Sequence, residues 1–99
     1  MINNPSYGQM NHVVRVDLPA ARASLLRLLW KKWPETATIL PSHVDLHGAE
    51  GVIAFLGAIQ ELCDEGLLSY EALICDPHGP RALQASVTSR GRACMADAA

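Results

Sequence analysis

A small α+β domain, with helices first and a β-hairpin last, is predicted by three observations. Residues 49–65 bring apolar side chains back every three or four positions, and Gly66 stops that pattern. The stretch from Asp76 to Pro80, with two prolines and a glycine, separates an extended segment from one that alternates apolar and polar. The composition is 49% hydrophobic and 18% charged, which fits one globular domain with a modest core and excludes a disordered chain.

The elements follow in order. Residues 1–16, with Asn, Pro, Ser and Gly at the start, read as an N-terminal arm, in which 12–16 (HVVRV) is a short strand or extended lead-in. A first helix starts near Asp17 to Pro19, where an acidic residue precedes a proline in the first turn, and it ends before Pro34. Leu18, Leu25, Leu26, Leu29, Trp30 and Trp33 give it a broad apolar side, and Arg22, Arg27, Lys31 and Lys32 a solvated basic side. A small extended piece spans 37–40, and Pro41-Ser42 offers an N-cap for a short helix over 43–47 that ends at Gly48.

The next helix spans about 49–65, with Val52, Phe55, Leu56, Ile59, Leu62 and Cys63 on a core-facing stripe. Gly66 caps it. A first hairpin strand runs over 69–75, where SYEALI also tolerates helix, and the return strand spans 81–88. Period-two alternation sends Leu83, Ala85 and Val87 inward and Gln84 and Ser86 outward.

No apolar stretch approaches the roughly 20 residues that cross a bilayer, and the first residues carry neither a basic start nor an apolar signal core. A cytoplasmic protein without a membrane role is the expectation. Cys63, Cys75 and Cys94 are an odd set without CxxC spacing, so reduced, mostly buried thiols are expected.

Charge is segregated along the chain. Arg15, Arg22, Arg27, Lys31 and Lys32 face only Asp17 in the first third, whereas 33–80 holds eight carboxylates and no Lys or Arg. Arg81, Arg90 and Arg92 then face only Asp97.

The run Ile59 to Leu68, with its "L..L.(D/E)EGL(L/I)" pattern, the hairpin, and the closing "(L/V)T..GR" at Val87 to Arg92 resemble the winged helix-turn-helix superfamily, and within it regulators of the MarR, PadR and ArsR kinds. The resemblance covers about Leu18 to Arg92 and assigns no single family. It implies a winged helix over 17–92, a three-helix core with a C-terminal β-hairpin wing, followed by a short tail at 93–99. It also implies a transcriptional regulator, dimeric in many such proteins, with its third helix in the major groove of duplex DNA.

Phosphate contact requires cations on that surface. The outward side of the third helix would instead be Glu50, Ile53, Ala54, Gly57, Glu61 and Asp64, with Gln60 the one group suited to a base edge. DNA contact therefore falls to Gln60, His78, Arg81, Arg90 and Arg92, through wing and tail. The alternative is a protein interaction module, or a homodimer seam, built on Glu50, Ile53, Ala54, Gly57 and Glu61, where small residues admit another backbone and carboxylates form a rim.

His43 and His47 have the i, i+4 spacing of metal ligands on a helix, but no CxxC pair or HExxH accompanies them, so no metal or other cofactor is assigned. The absence of a GxSxG elbow, a phosphate loop and a dinucleotide fingerprint assigns no catalytic residue and no enzymatic activity.

Overall fold

The structure is a computed structural model that describes residues 17–98; the expected arm at 1–16 lies outside them. Among the described residues, three α-helices and a four-stranded antiparallel sheet make an α+β fold: α1 (Leu18–Lys32), β1 (Ala37–Ile39), a 3-10 turn (Pro41–Val44), α2 (Gly48–Asp64), β2 (Leu68–Ser69), β3 (Ala72–Asp76), β4 (Gly79–Val87) and α3 (Ser89–Ala98).

Asp17 caps α1, its side chain accepting from the Ala20 backbone N–H at 3.1 Å, and Pro19 sits in the first turn, where a missing N–H costs nothing. Ala21, Leu25, Leu26 and Leu29 face the core. Trp30 and Trp33, expected on that apolar side, are 42% and 45% exposed. The helix expected over 43–47 is instead a 3-10 turn two residues earlier. Asp45 ends it in the left-handed region (φ 61°), and Gly48 begins α2 rather than ending the turn.

The core side of α2 consists of Gly51, Ala54, Phe55, Ala58, Ile59 and Leu62, while Val52, Leu56 and Cys63 lie at its edge. The stripe is thus rotated toward the small residues, because there the helix approaches its neighbours closely. A Cβ on Gly51 would lie 2.6 Å from the Leu46 carbonyl carbon.

Gly66 ends α2 as expected. Its φ of +76° lets its N–H reach the Cys63 carbonyl at 3.0 Å and the Leu67 N–H reach that of Leu62 at 2.9 Å, the paired bonds of a Schellman motif.

β4 is the central strand. β1 pairs along it, and β2 and β3 pair with it in one unbroken register, Leu68 opposite Val87 and Ala72 opposite Leu83. Gln84 corrects the expected alternation. It takes a left-handed conformation (φ 54°), and opposite it Ala37 pairs with Ala85 but Ile39 with Ala82, so β4 carries one extra residue. Pro80 and Ala82 therefore point inward before this bulge and Ala85 and Val87 after it, while Leu83, expected inside, is only half-buried.

The C-terminal part is helical rather than a closing turn and tail. Thr88 supplies the N-cap of α3, accepting from the Gly91 N–H at 2.9 Å. The fully buried side chains Phe55, Leu25, Leu29, Ile39, Ile59, Leu62 and Val87 form one core between α1, α2 and the sheet.

Candidate functional site

Among the described residues, α2 carries the most exposed large apolar side chain. Ile53 is 61% exposed, and Gly57, one turn on, is where the two helices meet: a Cβ there would lie 3.2 Å from Leu18 Cδ2. One further turn on, Glu61 borders an open groove of about 620 Å³ whose apolar lining is Leu18, Pro19, Ala23 and Leu26.

Arg22 closes this groove. Its guanidinium donates to both carboxylate oxygens of Glu65 at 2.6 Å and to Glu61 Oε1 at 2.8 Å. The two glutamates hold Arg22 more firmly protonated than a free arginine, and the same hydrogen bonds hold the Glu65 carboxyl below its ordinary value. Arg22 was expected on a solvated face; it links α1 to the end of α2 and is 25% exposed at its side chain.

Of the five residues expected at a protein interface, Ile53, Gly57 and Glu61 share one i, i+4 stripe of α2, of which Gly57 meets Leu18 and Glu61 borders this groove. Ala54, expected outward, is 2% exposed, because its methyl packs inside the molecule, and Ala58 beside it is fully buried. Glu50 is exposed but borders a different hollow, about 330 Å³, with Asp17, Asp45, Leu46 and His47.

The expected DNA contacts are dispersed, and two of the five, Arg81 and Arg92, have their side chains engaged within the chain. Gln60 is exposed on α2, at a groove of about 500 Å³ that it shares with Leu56, Cys63, Tyr70, Leu73 and Cys75. His78 is exposed at the hairpin tip, its backbone N–H donating to Asp76 Oδ1 at 2.9 Å. Arg81 Nη1 lies 3.0 Å from Asp76 Oδ2. The His78 N–H first, and Arg81 second, hold the Asp76 carboxyl below its ordinary value.

Arg90 is exposed and extends past Gly66, its Cδ 3.7 Å from where a Cβ would stand, and its charge adds slightly to the field on Glu65. Arg92 stacks its guanidinium over the Trp33 ring, 4.2 Å from the centroid. Arg81 stands near the start of β4 and Arg90 and Arg92 beyond its end, about 20 Å apart at the rise of an extended strand.

The paired histidines do not form a helical i, i+4 couple. His43 Nδ1 accepts from the Leu40 N–H at 3.2 Å, whereas His47 Nε2 lies 2.9 Å from Asp45 Oδ1, across the left-handed turn at Asp45. Among the described residues no group of three or more His, Cys, Asp or Glu is placed to hold a metal ion. Of the thiols, only Cys63 is even half-buried, and that burial, with Asp64 beside it, pushes its thiol up; Cys75 and Cys94 are exposed, contrary to the expectation of buried cysteines. No described helix is long and apolar enough to cross a membrane.

What sequence reasoning missed are the two tryptophans and the cross-helix arginine. The signal for the first was present: Trp30 and Trp33 lie beside Lys31 and Lys32, at the end of a helix whose Ala21, Leu25, Leu26 and Leu29 are already sufficient to face the core. In comparison with known proteins, no family model matches this chain, and neither a curated protein nor a solved structure matches it.

Proposed function

We propose that the chain is a winged-helix module that binds a protein partner through the face shared by α1 and α2. The order helix, strand, short helical turn, helix and hairpin, with β1 paired to the return strand β4, supports the winged-helix reading. The observation that carries the functional reading is Ile53, 61% exposed one turn before the α1–α2 contact at Gly57, on a helix without a single cation. Such a face repels phosphates and suits an apolar anchor side chain.

The test is a photo-crosslinking side chain placed at position 53, with Thr38, exposed on β1, as the control position. A single partner, or a second copy of the chain, captured at 53 and not at 38, and lost on Ala23→Glu, an exposed position of the groove that Glu61 borders, is the expected result. Equal capture at both positions overturns the reading.

Duplex DNA is the second reading, and exposed His78 and Arg90 favour it. Titration against random duplex at falling salt separates the two, since phosphate neutralisation is strongest at low salt. The protein-partner reading expects no binding that depends on Arg90 or His78; salt-dependent binding that Arg90→Ala and His78→Ala remove favours DNA.

A further inference from the structure

We propose that the groove between α1 and the 3-10 turn is a phosphate-binding site, distinct from the α1–α2 face. It is an open hollow of about 370 Å³, lined from one side by Ser24, Arg27 and Lys31 and from the other by Ser42 and His43. Positions 24, 27 and 31 fall on one stripe of α1, so a single concave surface collects a hydroxyl, a guanidinium and an ammonium. Leu28 and Val44, both packed on the core, form its floor and hold the two walls in place.

The cations here, like Lys32 and Arg90, lack a salt bridge among the described residues. Arg22 and Arg81 are in salt bridges and Arg92 is stacked on Trp33, whereas among the described residues no salt bridge engages Arg27 or Lys31. Arg27 Nη2 donates to Ser24 Oγ at 3.3 Å, which lays the guanidinium along the groove wall and leaves its other N–H groups to a ligand.

His43 supplies a second oriented donor. Its Nδ1 accepts from the Leu40 N–H, so the neutral ring carries its proton on Nε2, the nitrogen left to donate. A planar fork, a point charge, an imidazole N–H and two hydroxyls converging on one hollow match the oxygens of a phosphate group. Asp45 is the one carboxylate on the rim. It opposes an anion, but its Oδ1 lies 2.9 Å from His47 Nε2 and its side chain is 95% exposed, so solvent screens its charge.

The same chemistry serves a free phosphate, or phosphomonoester, and the backbone phosphate of a polynucleotide. Amide NMR spectra titrated with inorganic phosphate, with chloride at matched ionic strength as control, and separately with a short random duplex, distinguish the two. Saturable shifts at Ser24, Ser42 and His43 with inorganic phosphate assign the small ligand. Shifts at those amides with the duplex alone assign the backbone.

In either case Arg27→Gln with Lys31→Gln weakens binding about tenfold or more, and Asp45→Asn strengthens it. Both cations are exposed, so the double variant keeps the native spectrum; His43→Gln is the second variant, and it weakens binding through the lost donor. The proposal is overturned if neither probe moves these amides, or if the shifts persist unchanged in both variants.

Discussion

Arg22 grips Glu65 through two parallel hydrogen bonds of 2.6 Å, each guanidinium nitrogen meeting one carboxylate oxygen, across 43 residues of sequence. Because these bonds favour the ionised carboxylate, Glu65 binds its proton at lower pH in the folded chain than in the unfolded one. The unfolded state then holds more protons between the two values, and stability rises with pH across that window. The contribution of the pair is fully present above the ordinary carboxylate range and is lost as pH falls through the lowered folded value. Urea unfolding of wild type and Glu65→Gln at a series of pH values is the measurement. The wild type should be the more stable above pH of about 5, and the gap should close on acidification. Added salt should narrow it as well, since the carboxylate is nearly half exposed. A gap that is constant with pH would show that the fork adds nothing specific to the ionised form.

The two ends of the sequence pattern that resembles a winged helix are bonded to each other. Thr88 donates its hydroxyl to the Gly66 carbonyl at 2.6 Å and accepts from the Gly91 N–H at 2.9 Å, so one side chain ties the exit of α2 to the start of α3. Gly91 is needed at this junction because the Leu67 carbonyl oxygen occupies the position of its Cβ, with Val87 Cγ2 at 2.7 Å. Gly91→Ala must therefore push backbone away from backbone and should cost about 1–3 kcal/mol, as overpacking does. Thr88→Ala should cost about 1 kcal/mol through the lost cap, and Thr88→Ser should recover most of it. Thermal unfolding of the three variants checks both statements; a Gly91→Ala protein as stable as wild type would remove the close-approach explanation.

How much of this was legible in the sequence depends on whether a feature is local. The start of α1 at Asp17, the end of α2 at Gly66 and the turn at Pro77-His78 were legible because caps and turns are decided within a few residues. The bulge at Gln84 was not, because it exists only against β1 across the sheet, where Ala37 and Ile39 set the pairing. The inward side of α2 was misplaced by about one position for a related reason. Gly51, Ala54 and Ala58 are too small to register as apolar anchors, yet they are where neighbouring elements come closest. The candidate site suffered the most, since each arginine's partner is supplied by another element: Glu61 and Glu65 for Arg22, and Trp33 for Arg92. A single helix face shows which charges are available; only the packed chain shows which are already used.

The stack of Arg92 on Trp33 has a spectroscopic consequence. The guanidinium lies 4.2 Å from the ring centroid and shields one face of an indole that is still 45% exposed, tying α3 to the end of α1. With Trp30 replaced by Phe, emission reports Trp33 alone, as the chain holds two tryptophans. Adding Arg92→Ala should uncover the ring face, shift the emission to the red and raise the acrylamide quenching constant. Arg92→Lys should fall between the two, because an ammonium keeps the attraction but not the planar cover. Stability should fall by about 0.5–1 kcal/mol in Arg92→Ala, the size of a cation–π contact at an exposed site. Quenching that is the same for all three side chains would mean that α3 does not hold Arg92 over the indole in solution, and α3 would then be free of this attachment to α1.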